Sequence, residues 1–114
     1  MNWIADYIEG HGEEFWQRAL KIHGYAELAG EERQSAAELC AMLEQAGFAV
    51  EQGLGSQPTA FRAVYGNGGP VIGFLCEYDA LPSGHACGHQ LQGPAVAGAA
   101  VAVRELCRAE AFTL

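Results

Sequence analysis

The sequence predicts an α/β fold with a mixed sheet, and two kinds of pattern support this prediction. Some apolar residues recur with the 3.6-residue period of a helix, whereas others form short runs rich in β-branched and aromatic residues and bounded by glycine. These patterns place helices near residues 8–23, 31–46 and 93–108 and strands near residues 48–51, 59–65 and 71–76. With 114 residues, half of them apolar, the chain is large enough to bury a core.

The first two predicted helices are amphipathic. In the first, Gly24 is the expected end, and His11, which lies between two glycines, is expected in a surface turn. The second has one apolar face over residues 36–46. Gly47 followed by Phe48 predicts that this helix ends in a Schellman motif.

The strand pattern predicts an antiparallel hairpin. The β-forming residues 59–65 are followed by Gly66-Asn67-Gly68-Gly69, which supplies positive-φ positions for a tight connection. The next run, Val71–Cys76, is wholly apolar and shows no alternation, so we expect it to be buried on both faces at the centre of the sheet. Residues 110–114 are expected to begin a further strand.

The third predicted helix starts near Gly93 and has Pro94 at its first position, where the missing N–H costs nothing. Residues 95–103 are apolar on all sides, which predicts a buried helix. Arg104 and Arg108 fall in its last turns, where cations interact favourably with the helix dipole.

Composition excludes several classes of function. The net charge is −8 and there is no basic patch, which argues against a nucleic-acid partner. No signal peptide and no apolar run long enough to span a membrane is found. Three of the four cysteines, Cys40, Cys76 and Cys107, fall on predicted core positions, so free thiols in a reducing cytoplasm are expected. The absence of a CxxC motif disfavours a redox or haem module.

Potential metal ligands are concentrated between the last strand and the last helix. Cys87 and His89 flank a glycine in a polar loop, and thiolate together with imidazole favours Zn²⁺ and related ions. Two ligands do not complete a site, and His85, Glu77 and Asp79 are further candidates. The spacing by itself is weak evidence for a metal site, and an incidental polar loop explains it more simply.

Asp79 has two interpretations of its own. It can cap the turn through Leu81 and Pro82, as aspartates in such turns often do. Alternatively, it can accept a hydrogen bond from the imidazole of His89, which leaves the other ring nitrogen free for a metal ion.

Several motifs in order resemble one enzyme family. EYDALP followed by GHACGHQL and a small-residue helix resembles the M20 metallopeptidase and amidohydrolase family, in particular its N-acyl-amino-acid and aminobenzoyl-glutamate amidohydrolase branch. Residues 46–50 and 58–61 resemble the family pattern in the expected order. The resemblance implies that residues 1–114 form the N-terminal part of a three-layer α/β/α zinc-peptidase-like catalytic domain.

The same resemblance implies roles for individual residues. Cys87 corresponds to a ligand that can bridge two metal ions, Zn²⁺ or Mn²⁺, and His89 to a second ligand. Asp79 corresponds to the residue that supports the site from behind. His85 matches a position that is often histidine and receives no firm role, and Gln90 departs from the usual Asn or Asp.

The resemblance also implies what lies outside these 114 residues. Family members carry a later Glu-Glu pair, which supplies the general base and a ligand, and a separate lid domain. The expected function is hydrolysis of amide bonds in small N-acyl amino acids, aminobenzoyl-glutamate-like compounds or dipeptides, with the 114-residue chain inactive alone and a homo-oligomer possible for the intact protein. The alternative is a truncated or split-gene product that folds or binds metal without hydrolysis.

Overall fold

The structure is a computed structural model that describes residues 2–107 and 111–114. It contains the helices α1 (Trp3–Tyr25), α2 (Arg33–Gln45) and α3 (His89–Leu106) and the strands β1 (Ala49–Gln52) and β2 (Phe61–Val64). The predicted α/β class is confirmed. The three-layer catalytic domain stays a prediction, because the described residues form a sheet of two strands. The predicted position of Arg108 lies outside the described residues.

Helix α1 is longer than predicted at both ends. The Asn2 side chain caps it by accepting the Ala5 N–H at 3.2 Å, and it ends beyond Gly24, where Ala26 adopts a left-handed φ of 46°. The expected surface turn at His11 is wrong: His11 is helical, and its Nδ1 donates to the Tyr7 carbonyl at 2.8 Å. Glycine weakens a helix by only about 1 kcal/mol per residue, which packing against neighbouring helices can offset.

The end of α2 confirms the predicted Schellman motif. Phe48 N–H donates to the Leu43 carbonyl and Gly47 N–H to the Glu44 carbonyl, both at 3.0 Å. Gly47 has a φ of +92°, a conformation that glycine adopts without the clash of a Cβ atom. This ending turns the chain directly into β1.

Strands β1 and β2 pair antiparallel, with Ala49 opposite Val64 and Gln52 opposite Phe61. The predicted hairpin between residues 59–65 and 71–76 is wrong. Residues 113 and 114 lie between these two segments instead.

The carboxy-terminal residues supply the hydrogen bonds that the hairpin would have made. Tyr65 and Leu114 exchange both backbone hydrogen bonds, at 3.0 and 2.9 Å. On the other side, Thr113 donates to the Pro70 carbonyl and accepts the Ile72 N–H, each at 2.9 Å. A Cβ atom on Gly66 would collide with the Phe112 carbonyl, so this close approach requires glycine.

The prediction that residues 71–76 form a buried central strand is also wrong. Val71 makes an isolated bridge with Thr113, but the segment is otherwise unpaired within the described part of the chain. Val71 is 78 % and Leu75 85 % exposed. A strand buried on both faces needs neighbouring strands and a covering layer on each face, and the described residues provide these only in part.

Helix α3 begins four residues earlier than predicted, at His89, after Gly88 with a φ of +80°. Pro94 therefore lies inside the helix and not at its first position. Because proline has no N–H, one backbone carbonyl of the helix lacks its usual intrahelical partner. The expected burial on all sides is wrong as well, because Ala95 is exposed. The small residues Ala97 and Gly98 are buried and bring the helix close to its neighbours.

The three helices and the sheet enclose one hydrophobic core. Its buried members come from every helix, from the residue that precedes β1 and from the carboxy-terminal residues: Ile22, Leu39, Met42, Leu43, Phe48, Ala97, Ala100, Phe112 and Leu114. Within the described ranges, no helix is both long enough and apolar enough to span a membrane.

Candidate metal centre

The segment that carries Asp79 is held by backbone contacts on its carboxy-terminal side. Ala80, which is buried, donates its N–H to the Glu27 carbonyl at 2.7 Å and forms a parallel bridge with Leu28. The following turn is closed by Leu81 and Gly84, which exchange backbone hydrogen bonds at 3.0 and 2.8 Å. The turn is therefore closed by its own backbone, and the Asp79 side chain bonds elsewhere.

The Asp79 carboxylate is directed at the first residue of α3. His89 Nδ1 lies 2.7 Å from Asp79 Oδ1. Because an aspartate carboxylate only accepts, the proton lies on Nδ1, and the lone pair of Nε2 is left free. Of the two interpretations of Asp79, the structure therefore agrees with the hydrogen bond to His89 and not with the capped turn.

A second carboxylate lies on the free side of the imidazole. Glu77 Oε2 is 3.6 Å from His89 Nε2, too far for a hydrogen bond. Two ligand atoms on one tetrahedral zinc ion, each about 2.0–2.2 Å from the metal, lie about 3.4 Å apart. The separation between Glu77 and His89 is thus compatible with a shared ion.

Cys87 lies two residues before His89 with its side chain exposed and its thiol free. Across residues 2–107 and 111–114, no three His, Cys, Asp or Glu side chains are grouped so that they could hold a metal ion together. The donor types fit a transition metal, and the Asp79–His89 pair fits the support that such a ligand needs. These residues fit part of a metal site.

His85 makes contacts of a different kind. Its Nε2 donates to the Ile22 carbonyl at 3.0 Å, and its ring stacks on His23 with 5.9 Å between the centroids. These contacts attach the loop to α1. The sequence assigned His85 no firm role, and in the structure it connects two elements.

Cys76 differs from Cys87 in its surroundings. Burial raises the pKa of the Cys76 thiol to about 11, which keeps it protonated at neutral pH. Its Sγ donates to the Gly93 carbonyl at 3.7 Å. Because the thiolate is the form that binds metals, Cys76 is a packing residue.

A shallow cavity of about 340 Å³ adjoins Glu77 and Asp79. At its wall, the buried Glu32 accepts hydrogen bonds from the Thr59 hydroxyl at 2.5 Å and from the Gly30 N–H at 2.6 Å. Tyr78 donates to the Thr59 carbonyl at 2.8 Å; burial, together with the charge of Glu32, raises the pKa of Tyr78 to about 12. Two larger cavities, of about 600 and 500 Å³, are lined by neither Asp79 nor His89.

Two residues that bond to the segment around Asp79, Glu27 and Gln92, received no role in the site from the sequence. Neither residue belongs to the EYDALP or GHACGHQL motif, and both bond to segments distant in the chain. Gln92 follows His89 by three residues on α3, but the sequence predicts that this helix starts near residue 93, so helical spacing did not place the two side chains on one face.

Comparison with known proteins identifies relatives of the chain. It is 38 % identical over 120 residues to a subunit of the p-aminobenzoyl-glutamate hydrolase of Escherichia coli K12, covering 90 % of this chain and 25 % of that protein. It is 38 % identical to the Xaa-Arg dipeptidase of Mus musculus and 37 % identical to that of Homo sapiens, covering 88 % of this chain and 26 % of each protein.

These relatives confirm the predicted resemblance to the M20 family. No family model matches the chain. The chain spans about a quarter of the length of the curated relatives it matches. The region of similarity covers 88–90 % of the chain.

Glu27 connects the candidate centre to α2, and its charge state should matter for stability. Its carboxylate accepts the N–H groups of Gln34 at 3.0 Å and Ser35 at 2.8 Å, at the amino-terminal end of α2. Partial burial by itself would raise the pKa of Glu27, but these two N–H groups stabilise the carboxylate and lower the pKa below its ordinary value of 4.5.

We expect Glu27→Gln to destabilise the chain by about 0.5–2 kcal/mol at neutral pH, as for loss of a helix cap. Because the folded-state pKa is lowered, the contribution of Glu27 is fully present above about 4.5 and is lost as the pH falls through the lower folded-state value. Urea unfolding of both forms between pH 3 and pH 7 measures this difference. The exposed Glu31→Gln is the control, and a difference that stays constant down to pH 3 would contradict the expectation.

Proposed function

We propose that this chain contributes the first part of the active centre of a metal-dependent amide hydrolase. The observation that carries the proposal is the 2.7 Å hydrogen bond from His89 to Asp79, which lies in a chain 38 % identical to a named hydrolase. In this proposal Cys87 and His89 are metal ligands and Asp79 is the residue that orients His89. The ions are Zn²⁺ or Mn²⁺, two of them in the complete enzyme.

The residues of this chain have separate tasks. When bound, the metal supplies Lewis-acid chemistry that polarises an amide carbonyl. Asp79 holds the proton of His89 on Nδ1, so that Nε2 presents its lone pair outwards. Cys87 presents an exposed thiol that can become a thiolate ligand, and Glu77 keeps a carboxylate beside His89 Nε2.

The proposed substrates are small amides. The names of the relatives state that one hydrolyses p-aminobenzoyl-glutamate and that two are dipeptidases for Xaa-Arg. We extend this to N-acyl amino acids, aminobenzoyl-glutamate-like compounds and dipeptides as the substrate class here. A cytoplasmic location and a homo-oligomer of the complete protein are part of the same proposal.

The second candidate function is a product that folds and binds metal without hydrolysis. One observation favours it: the described residues contain no group of three potential ligands, so any ion would be held by few side chains. Activity measurements separate the two candidates.

The experiment compares the 114-residue chain with a chimera in which it replaces the matching quarter of the E. coli hydrolase chain. With Zn²⁺ or Mn²⁺ present, we expect no hydrolysis of p-aminobenzoyl-glutamate by the 114 residues alone, because the expected Glu-Glu pair is outside them. The chimera should hydrolyse it, and chimeras with Cys87→Ala or His89→Ala should not. A folded chimera with no activity supports the non-catalytic product, and turnover by the 114 residues alone would show that the general base lies within them.

A further inference from the structure

Gln92 makes two hydrogen bonds to the extended segment that leads into the candidate centre. Its Nε2 donates to the Leu75 carbonyl at 2.9 Å, and its Oε1 accepts the Glu77 N–H at 2.5 Å. The side-chain amide of glutamine has an NH₂ group that donates and an oxygen that accepts, as a backbone peptide group has an N–H and a carbonyl. Gln92 therefore bonds to residues 75 and 77 much as one residue of a neighbouring strand would.

The same segment lies directly on α3 beside Gln92. Gly93 is buried, and a Cβ atom there would be 3.0 Å from Leu39 Cδ1 and 3.1 Å from the Glu77 carbonyl oxygen. These separations are tighter than those of most real Cβ contacts. The absence of a side chain at Gly93 thus allows residues 75–77 to approach the helix closely enough for Gln92 to bond to them.

Besides Gln92, the side chains of Cys76 and Tyr78 hold the segment through bonds to the Gly93 and Thr59 carbonyls, whereas its backbone is bonded at its two ends. Upstream, backbone hydrogen bonds join Pro70 and Ile72 to Thr113, and downstream Ala80 bonds to Glu27. In the described chain, residues 73–79 make no backbone–backbone hydrogen bond between these two points. Gln92 bonds to the middle of this interval, two residues before Asp79.

We propose that Gln92 is a positioning residue that keeps Asp79 in register with His89. Gln92 and His89 lie three residues apart on α3, so one helical turn bonds to residues 75, 77 and 79 of the same segment. Its importance for catalysis rests on the proposed function. Its effect on the Asp79–His89 hydrogen bond does not depend on a metal ion.

The test measures histidine tautomers by ¹⁵N NMR in the metal-free 114-residue chain at alkaline pH. His89 should carry its proton on Nδ1, because Asp79 accepts it there. His85 should carry its proton on Nε2, since that atom donates to the Ile22 carbonyl, and it serves as the internal reference. In Gln92→Leu, we expect the Nδ1–H fraction of His89 to fall while the tautomer of His85 stays unchanged.

Two further variants keep the result interpretable. Gln92→Glu preserves size and can accept the Glu77 N–H but cannot donate to the Leu75 carbonyl, so its effect should be intermediate. Gln45→Leu removes an exposed glutamine whose Oε1 accepts from Arg18, and it should leave His89 unchanged. Zinc affinity should fall about tenfold in Gln92→Leu, as for loss of an outer residue that orients a ligand.

Each outcome decides the role of Gln92. An unchanged His89 tautomer in both Gln92 variants, or an equal change in Gln45→Leu, would overturn the proposal. If Gln92→Leu does not fold, Gln92→Glu alone decides. If the wild-type chain shows the expected tautomer but binds no zinc in a titration, the proposed metal function fails while the tautomer comparison still tests Gln92.

Discussion

Replacing His89 with alanine should weaken Zn²⁺ binding to the 114-residue chain by more than about 100-fold. The hydrogen bond to Asp79 occupies Nδ1 of His89 and leaves Nε2 as the free ring nitrogen. Removing the imidazole therefore removes a ligand that is already oriented. Cys87→Ala should have a similar effect, because it removes the thiol donor. Asp79→Ala retains both ligands and should weaken binding by about 10–100-fold.

Calorimetric titration with Zn²⁺, repeated in the presence of a competing chelator, measures these affinities. His11→Ala is the matched control, since it removes an imidazole whose hydrogen bond stays within α1. Equal zinc binding by wild type and His89→Ala would refute the ligand assignment. A loss in His11→Ala as large as that in His89→Ala would show that the effect is one of folding.

Leu39→Ala should lower the free energy of unfolding by about 2–5 kcal/mol. Leu39 is fully buried in the core, and its Cδ1 packs on α3 at Gly93, beneath the segment that carries Glu77. Truncation to alanine loses the free energy gained by burying the removed methyl and methylene groups, and it leaves a cavity in the core. Because small domains are stable by only about 5–15 kcal/mol, this is a large part of the total.

Urea unfolding followed by circular dichroism measures the change. Leu20→Ala is the matched control: Leu20 is 45 % exposed on α1, and its truncation should change stability by less than about 0.5 kcal/mol. Similar losses in the two variants would mean that Leu39 does not occupy the core position described.

Local patterns predicted the elements whose causes are local. The Schellman motif at Gly47 and Phe48 needs one glycine and one apolar residue at set positions, and both were readable from the sequence. The helical period located α2 to within two residues at its start and one at its end. The prediction for α3 was less accurate. Pro94 suggested that the helix starts near residue 93, whereas in the structure it starts at His89.

The predictions that failed depend on which segments meet. The hairpin between residues 59–65 and 71–76 was a reasonable expectation from a glycine-rich connection, but Thr113 and Leu114 pair with both sides instead. The apolar character of residues 71–76 predicts burial on both faces. Burial requires covering layers, which the described residues supply only in part, so Leu75 is 85 % exposed.

By itself the sequence determined which residues could carry chemistry, because EYDALP and GHACGHQL hold Asp79, Cys87 and His89 in a recognisable order. It left Asp79 with two possible roles and gave no reason to consider Gln92. Only the tertiary structure decided that the Asp79 carboxylate accepts from His89 and that Gln92 bonds to residues 75 and 77. The physical reason is that a hydrogen bond between distant residues depends on how α3 and the extended segment pack, and no local pattern records that distance.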